Sequence, residues 1–186
     1  MQVENTSDHV LSEERRKETF ERLKPILRSW QAYRGGRNSD IWKSLKESLG
    51  RISPEYDRIR QLSLLHFSEV PDEALRLIWH ELGRVKEYRA EKNNSYCVIA
   101  VCKPLMLLWG QTLAFDSHVR KNLPTRFNVP ISNRWSYEQW KTVMQGLESE
   151  MKDSPADISQ IDQKAMERYC TKSVVPYGRF LDMYYY

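Results

Sequence analysis

Apolar residues recur every three or four positions along most of this chain, the spacing that lines one face of an α-helix. Phe20, Leu23, Ile26, Leu27 and Trp30 keep this rhythm after Ser12, Glu13 and Glu14, which read as an N-cap with acids in the first turn. Pro25 falls inside the run, so the pattern predicts a kink or two segments, ended by Gly35-Gly36. Ser39-Asp40 opens a second helix, with Ile41, Trp42, Leu45 and Leu49 on one face and Gly50 as its stop. Ser53-Pro54-Glu55 starts a third, carrying Tyr56, Ile59, Leu62 and Leu65. Pro71-Asp72-Glu73 starts a fourth, burying Leu75, Ile78, Trp79 and Leu82, with Gly83 tolerated there or marking a close helix contact.

Residues 96–109 are apolar nearly all round, which predicts a central buried helix. Their first half, "YCVIAVC", suits a strand equally by composition, but no partner strand is visible, so helix is preferred. Pro104 bends this helix or begins a new one, and Lys103 would then stand at a junction. Residues 110–114 form a short connection, and Asp116 or Ser117 caps the next segment. Pro124 and Pro130 bracket a polar loop. Ser136-Tyr137-Glu138 opens a helix carrying Trp140, Val143, Met144 and Leu147. Asp157 or Ser159 caps a last one with Ile161, Ala165, Met166 and Tyr169. The tail "PYGRFLDMYYY" is aromatic and packs on the body or on a partner. The expected fold is all-α, a single compact domain of about seven to nine short helices around a central apolar helix. Residues 1–11 are expected to be a flexible N-terminus, and residues 12–186 the helical domain with its aromatic tail.

Composition narrows the function classes. Hydrophobic residues make up 40% of the 186, a lean share that six Trp, ten Tyr and five Phe offset by the area each aromatic buries. Three cysteines, Cys97, Cys102 and Cys170, with no apolar leader argue against a secreted disulfide scaffold. No histidine cluster completes a zinc set, so the thiols are expected to be buried and reduced, with neither metal nor cofactor. His66 and His80 lie on apolar faces as core or boundary residues. The longest apolar run is broken by Lys103-Pro104 and is too short for a membrane, which implies a soluble, cytoplasmic protein. There is no phosphate-binding glycine loop, no GxSxG and no HExxH.

Charge is uneven. The net value is only +4, yet 13 Lys/Arg stand against 6 Asp/Glu between Arg15 and Arg60. Arg34, Arg37, Arg51, Arg58 and Arg60 interleave there with Trp30, Tyr33 and Trp42. That pattern suits nucleic acid, because phosphates pair with arginine and bases stack on aromatics; it equally suits a solvated helix face over a core. The stretch "WGQTLAFDSHVRKNLP" places Asp116 between apolar residues and the cations His118, Arg120 and Lys121. Asp116 reads as a helix cap or as a catalytic acid, and both use the same helix end. Lys103 snorkels, pairs with Asp116 or another acid, or works as a desolvated nucleophile.

"AFDSHVRKNL" resembles the stretch after the hairpin in the helix-hairpin-helix DNA glycosylase superfamily. There an apolar residue, an aspartate, a small residue, a histidine or similar, a valine and basic residues open a helix. The resemblance implies that Asp116 takes the aspartate position, Ser117, His118 and Val119 follow, and Arg120 takes a basic position. The preceding "WGQTLA" echoes the end of the hairpin. The family's paired hairpin glycines reduce here to Gly110, and the lysine that some members carry falls at Val98. Lys103, thirteen residues before Asp116, is the nearest substitute. The implied function is a DNA-binding protein that excises a modified base. Asp116 would stabilise the sugar cation, and the base pocket would lie near Trp109 and Gln111. Arg34, Arg37, Arg51, Arg120, Lys121 and His118 would hold the DNA. The alternative is a non-catalytic helical module that binds nucleic acid or a protein, or self-associates, through the aromatic tail.

Overall fold

The computed structural model describes residues 9–34, 40–87, 95–123, 125–130, 132–154, 158–160, 162–163 and 175–186. Among these, six α-helices and two 3-10 turns surround a seventh, buried helix, with one two-residue strand pair. The helices are α1 (Glu13–Ser29), α2 (Ile41–Ile59), α3 (Asp72–Lys86), α4 (Val98–Trp109), α5 (Ser117–Asn122), α6 (Tyr137–Asp153) and α7 (Tyr177–Tyr185). The all-α expectation holds, and α4 is the central element: Val98, Ala100, Val101, Cys102, Leu105, Met106 and Trp109 are all buried.

The chain does not divide into separate helices at Pro25, Gly50 or Ser53-Pro54. α1 runs through Pro25 because Phe20, Leu23 and Leu27 bury one continuous face on both sides of it. Gly50 does not stop α2, nor does Ser53-Pro54 start a new helix. Leu45, Leu49, Ile52, Tyr56 and Ile59 form one uninterrupted buried stripe. Burying these side chains at about 1.5–3 kcal/mol each outweighs the roughly 3 kcal/mol that an interior proline costs. Ser53 does not cap; its hydroxyl donates to the Leu11 carbonyl at 2.6 Å. Leu11, assigned from sequence to the flexible N-terminus, is fully buried, so the packed chain begins earlier than expected. Gly35, Gly36 and Ser39 lie outside the described residues.

α3 starts where predicted, and Gly83 marks a close approach, to a strand side chain and not to a helix: a Cβ there would collide with the Tyr96 ring. Tyr96–Cys97 is a short strand rather than helix, and its antiparallel partner is Arg134–Trp135. Two residues are too few to show alternation, which hides that partner in a polar loop. α4 then continues unbroken past Lys103 and Pro104, so Lys103 stands within a helix and not at a junction.

α6 starts where its sequence predicts, and a reciprocal capping box between Ser136 and Gln139 closes its N-terminus. Its Trp140 stacks on Trp79 of α3 at 5.3 Å between ring centroids. Buried Glu148 accepts from the Ser68 amide at 3.0 Å and from Lys152 at 2.8 Å, tying α6 to the 3-10 turn Leu64–Glu69. Ile161, Ala165, Met166, Tyr169 and Cys170, and the Asp157 cap, lie outside the described residues. The aromatic tail is a helix, α7, that packs on the body. Gly178 makes this possible, since a Cβ there would meet the backbone of Gln111 and Thr112 at 2.3–2.4 Å.

Candidate functional site

Three distant segments meet beside α4. The C-terminal end of α1, the centre of α4, the turn before α5 and one face of α7 border an open cavity of about 430 Å³. It is lined by Trp30, Gln31, Lys103, Met106, Ala114, Asp116, Arg179 and Asp182, with Met183 and Tyr186 at one side.

Lys103 enters from α4, which is otherwise apolar. Its ammonium donates to the Trp30 carbonyl at 2.7 Å and sits 5.9 Å from the Trp30 ring centre. Arg179 approaches the same ring at 5.9 Å. Burial pushes Lys103 below the ordinary lysine range, while Asp116 and Asp182 pull it back up. The direct partner of the Lys103 ammonium is thus the Trp30 carbonyl, with its stem half-buried, and Asp116 and Asp182 act on it through their charge and not as ion-pair partners.

Asp116 is a cap. Its Oδ1 accepts from the His118 amide at 3.0 Å and the Val119 amide at 3.1 Å. It also lines the cavity, so capping and facing a concave site coexist in one side chain. The turn that delivers it is tightly held. Gly110 closes α4 at φ +76°, a left-handed position suited to glycine. Phe115, immediately before Asp116, sits at φ +51°, and so does Gln31 on the opposite wall. Non-glycine residues adopt this region at a cost and keep it only where packing enforces it. Phe115 is fully buried against Trp135, with ring centroids 5.0 Å apart.

Asp182 comes from α7. Its Oδ1 accepts the Ala114 amide at 2.7 Å. Burial raises its carboxyl above the usual range and Asp116 adds to this, while the Ala114 amide, Arg179 and Lys103 oppose it.

The remaining sequence candidates scatter. Trp109 and Gln111, expected at the pocket, are buried and serve the framework. The Trp109 indole donates to the Leu62 carbonyl at 3.0 Å. Gln111 bridges the Leu64 amide and the Val175 carbonyl, each at 2.8 Å. Trp30 and Met106 take the lining role instead. Arg51 points to α3, where it pairs with Glu81. Arg58 and Arg60 pair with Glu55, Glu73 and Asp57, so part of the basic field is neutralised locally. Arg34 is exposed beside Gln31, in a recess that also holds Arg28, Tyr33 and Trp42 and shares Gln31 with the main cavity. Arg37 lies outside the described residues. Arg120 is half-buried and donates to the Ser132 carbonyl at 2.8 Å. Lys121 is exposed, and exposed His118 lies 5.3 Å from the Tyr186 ring. His66 is exposed and paired with Glu69, contrary to the core or boundary position expected; His80 is half-buried against Tyr96.

Sequence reasoning passed over Trp30 as a lining residue, and Arg179 and Asp182 altogether. The signal was an aspartate and an arginine three residues apart in an otherwise aromatic tail. Among the described residues no group of His, Cys, Asp or Glu is arranged to hold a metal ion, and no helix is long and apolar enough to cross a membrane. Cys97 and Cys102 are buried free thiols, and burial pushes the Cys102 thiol far up. No protein-family model, curated protein or solved structure matches this chain.

Proposed function

We propose that this protein binds DNA and hydrolyses the N-glycosidic bond of a modified nucleotide whose base enters the cavity beside Asp116. One observation carries the reading: Asp116 and Lys103, thirteen residues apart in sequence, line one cavity with a half-buried aromatic. The volume, about 430 Å³, falls within the range of small-ligand pockets, so an extruded base has room. As the bond to the base lengthens, positive charge develops on the sugar, and a fixed carboxylate beside it lowers that barrier. The cap holds Asp116 in place through two amides. Lys103 supplies a positive charge on the same cavity wall, with its nitrogen anchored on the Trp30 carbonyl. Arg34 on one side and Lys121 with His118 on the other are exposed and available to phosphates.

The test is incubation with single- and double-stranded oligonucleotides carrying a panel of modified bases, followed by alkali to cut at abasic sites. Cleavage at a modified position is expected; intact strands across the whole panel would overturn the reading.

A second reading, a non-catalytic interaction module, is favoured by the exposed tail aromatics. Tyr184 is 80% and Tyr186 70% exposed, and Met183 lies beside them at 56%. It predicts that Tyr184→Glu changes the sedimentation profile or partner binding while the fold persists.

A further inference from the structure

We propose that Asp182 is a second catalytic carboxyl of this cavity, the proton donor to the departing base, facing Asp116; this rests on the glycosidic reading above. Hydrolysis of a glycosidic bond calls for two groups in opposite states, an acid for the leaving group and a carboxylate for the sugar and the water. The cavity holds two carboxyls from unrelated parts of the chain. Asp116 precedes α5 and Asp182 lies on α7, and both line the same walls.

Their surroundings differ in the required sense. Asp116 accepts two backbone amides through Oδ1. Asp182 accepts one, from Ala114, also through Oδ1, which leaves its second oxygen to carry a proton. The Ala114 amide therefore fixes the Asp182 carboxyl against the turn that ends in Asp116. Asp116, on the same cavity, raises the proton affinity of Asp182, and Arg179 on its own helix and Lys103 on α4 lower it. Burial is the largest influence and favours the protonated acid. The buried Cys102 thiol on α4 also senses Asp182.

The step balances. The Asp182 proton passes to a nitrogen of the base as the bond to the sugar breaks and its electron pair leaves with the base. A water oxygen bonds to the sugar carbon and yields its proton to Asp116. Solvent then reloads Asp182 and discharges Asp116.

The experiment is a single-turnover pH–rate profile for the wild type, Asp182→Asn and Asp182→Glu. It uses an oligonucleotide substrate found by the panel and a second oligonucleotide carrying cationic 7-methylguanine, which departs without a donated proton. Asp182→Asn should slow release of the neutral base by about 100-fold or more and abolish the alkaline limb of the profile. Its loss on 7-methylguanine should stay below about tenfold, and Asp182→Glu should restore the limb. Equal losses on both substrates with an unchanged profile would overturn the proposal alone, leaving Asp182 a mere prop for the Ala114 turn. A wild type that makes no abasic sites would remove the underlying reading and this step with it.

Discussion

The Asp182 carboxyl accepts the Ala114 amide at 2.7 Å, which fastens the last helix of the chain to the turn that ends in Asp116. Asn122 strengthens the join by donating to the Tyr185 carbonyl at 2.7 Å. The tail is thereby a wall of the cavity as well as an aromatic surface. Its placement depends on Gly178. In Gly178→Ala the new methyl would meet the Gln111 and Thr112 backbone, which cannot move aside as a side chain can. A loss of about 1–3 kcal/mol is expected, together with faster proteolysis near α7; urea unfolding and limited digestion measure both.

Asp116 can be dissected by two substitutions. Asp116→Ala removes the cap and should cost about 1 kcal/mol, whereas Asp116→Asn keeps an oxygen for the same two amides and should unfold close to wild type. Equal losses in thermal or urea unfolding would show that the cap contributes nothing.

How much of this was legible in the sequence depends on how local each feature is. The Asp116 cap, one of two the sequence offered, and the helix start at Ser136 are local features spanning four residues, and both stand in the structure. The helix breaks at Gly50 and Pro54 were misplaced because the competing force is tertiary: Ile52 and Tyr56 bury against other helices, which no local rule registers. The meeting of Lys103 with Asp116 was open in the sequence as one pairing among several. Trp30 and Asp182 were not legible as partners, since only the packing of α1 and α7 against α4 brings them there.

Acid stability should carry the signature of Asp72. Lys141 at 2.6 Å and the Tyr137 hydroxyl at 2.8 Å, joined by Arg76, hold its carboxyl well below the usual range, at about 2. The folded value lies below the unfolded one, so the stabilisation is present above about pH 4 and is lost as pH falls towards 2. The side chain is 41% exposed, which screens the pair and limits its worth to roughly 1 kcal/mol. Urea unfolding of wild type and Asp72→Asn should differ at pH 7 and converge between about pH 4 and 2. A gap that stays constant would contradict this origin.

DNA affinity should discriminate among the basic residues. Binding is expected to weaken steeply with salt, and Lys121→Ala should lower the salt slope by about one counterion. Arg51→Ala should leave the slope unchanged, because that guanidinium is engaged by Glu81 on a different face. Fluorescence anisotropy at several salt concentrations reads both, and an equal effect of the two would contradict the placement of the DNA.

The most direct measurement is base release by Asp116→Asn under single-turnover conditions, on the oligonucleotide that the wild type processes. The variant retains the cap and the fold but lacks the carboxylate charge. The account predicts wild-type melting and DNA binding with release slowed by about 100-fold or more. Release at the wild-type rate by a folded, DNA-bound variant would contradict it.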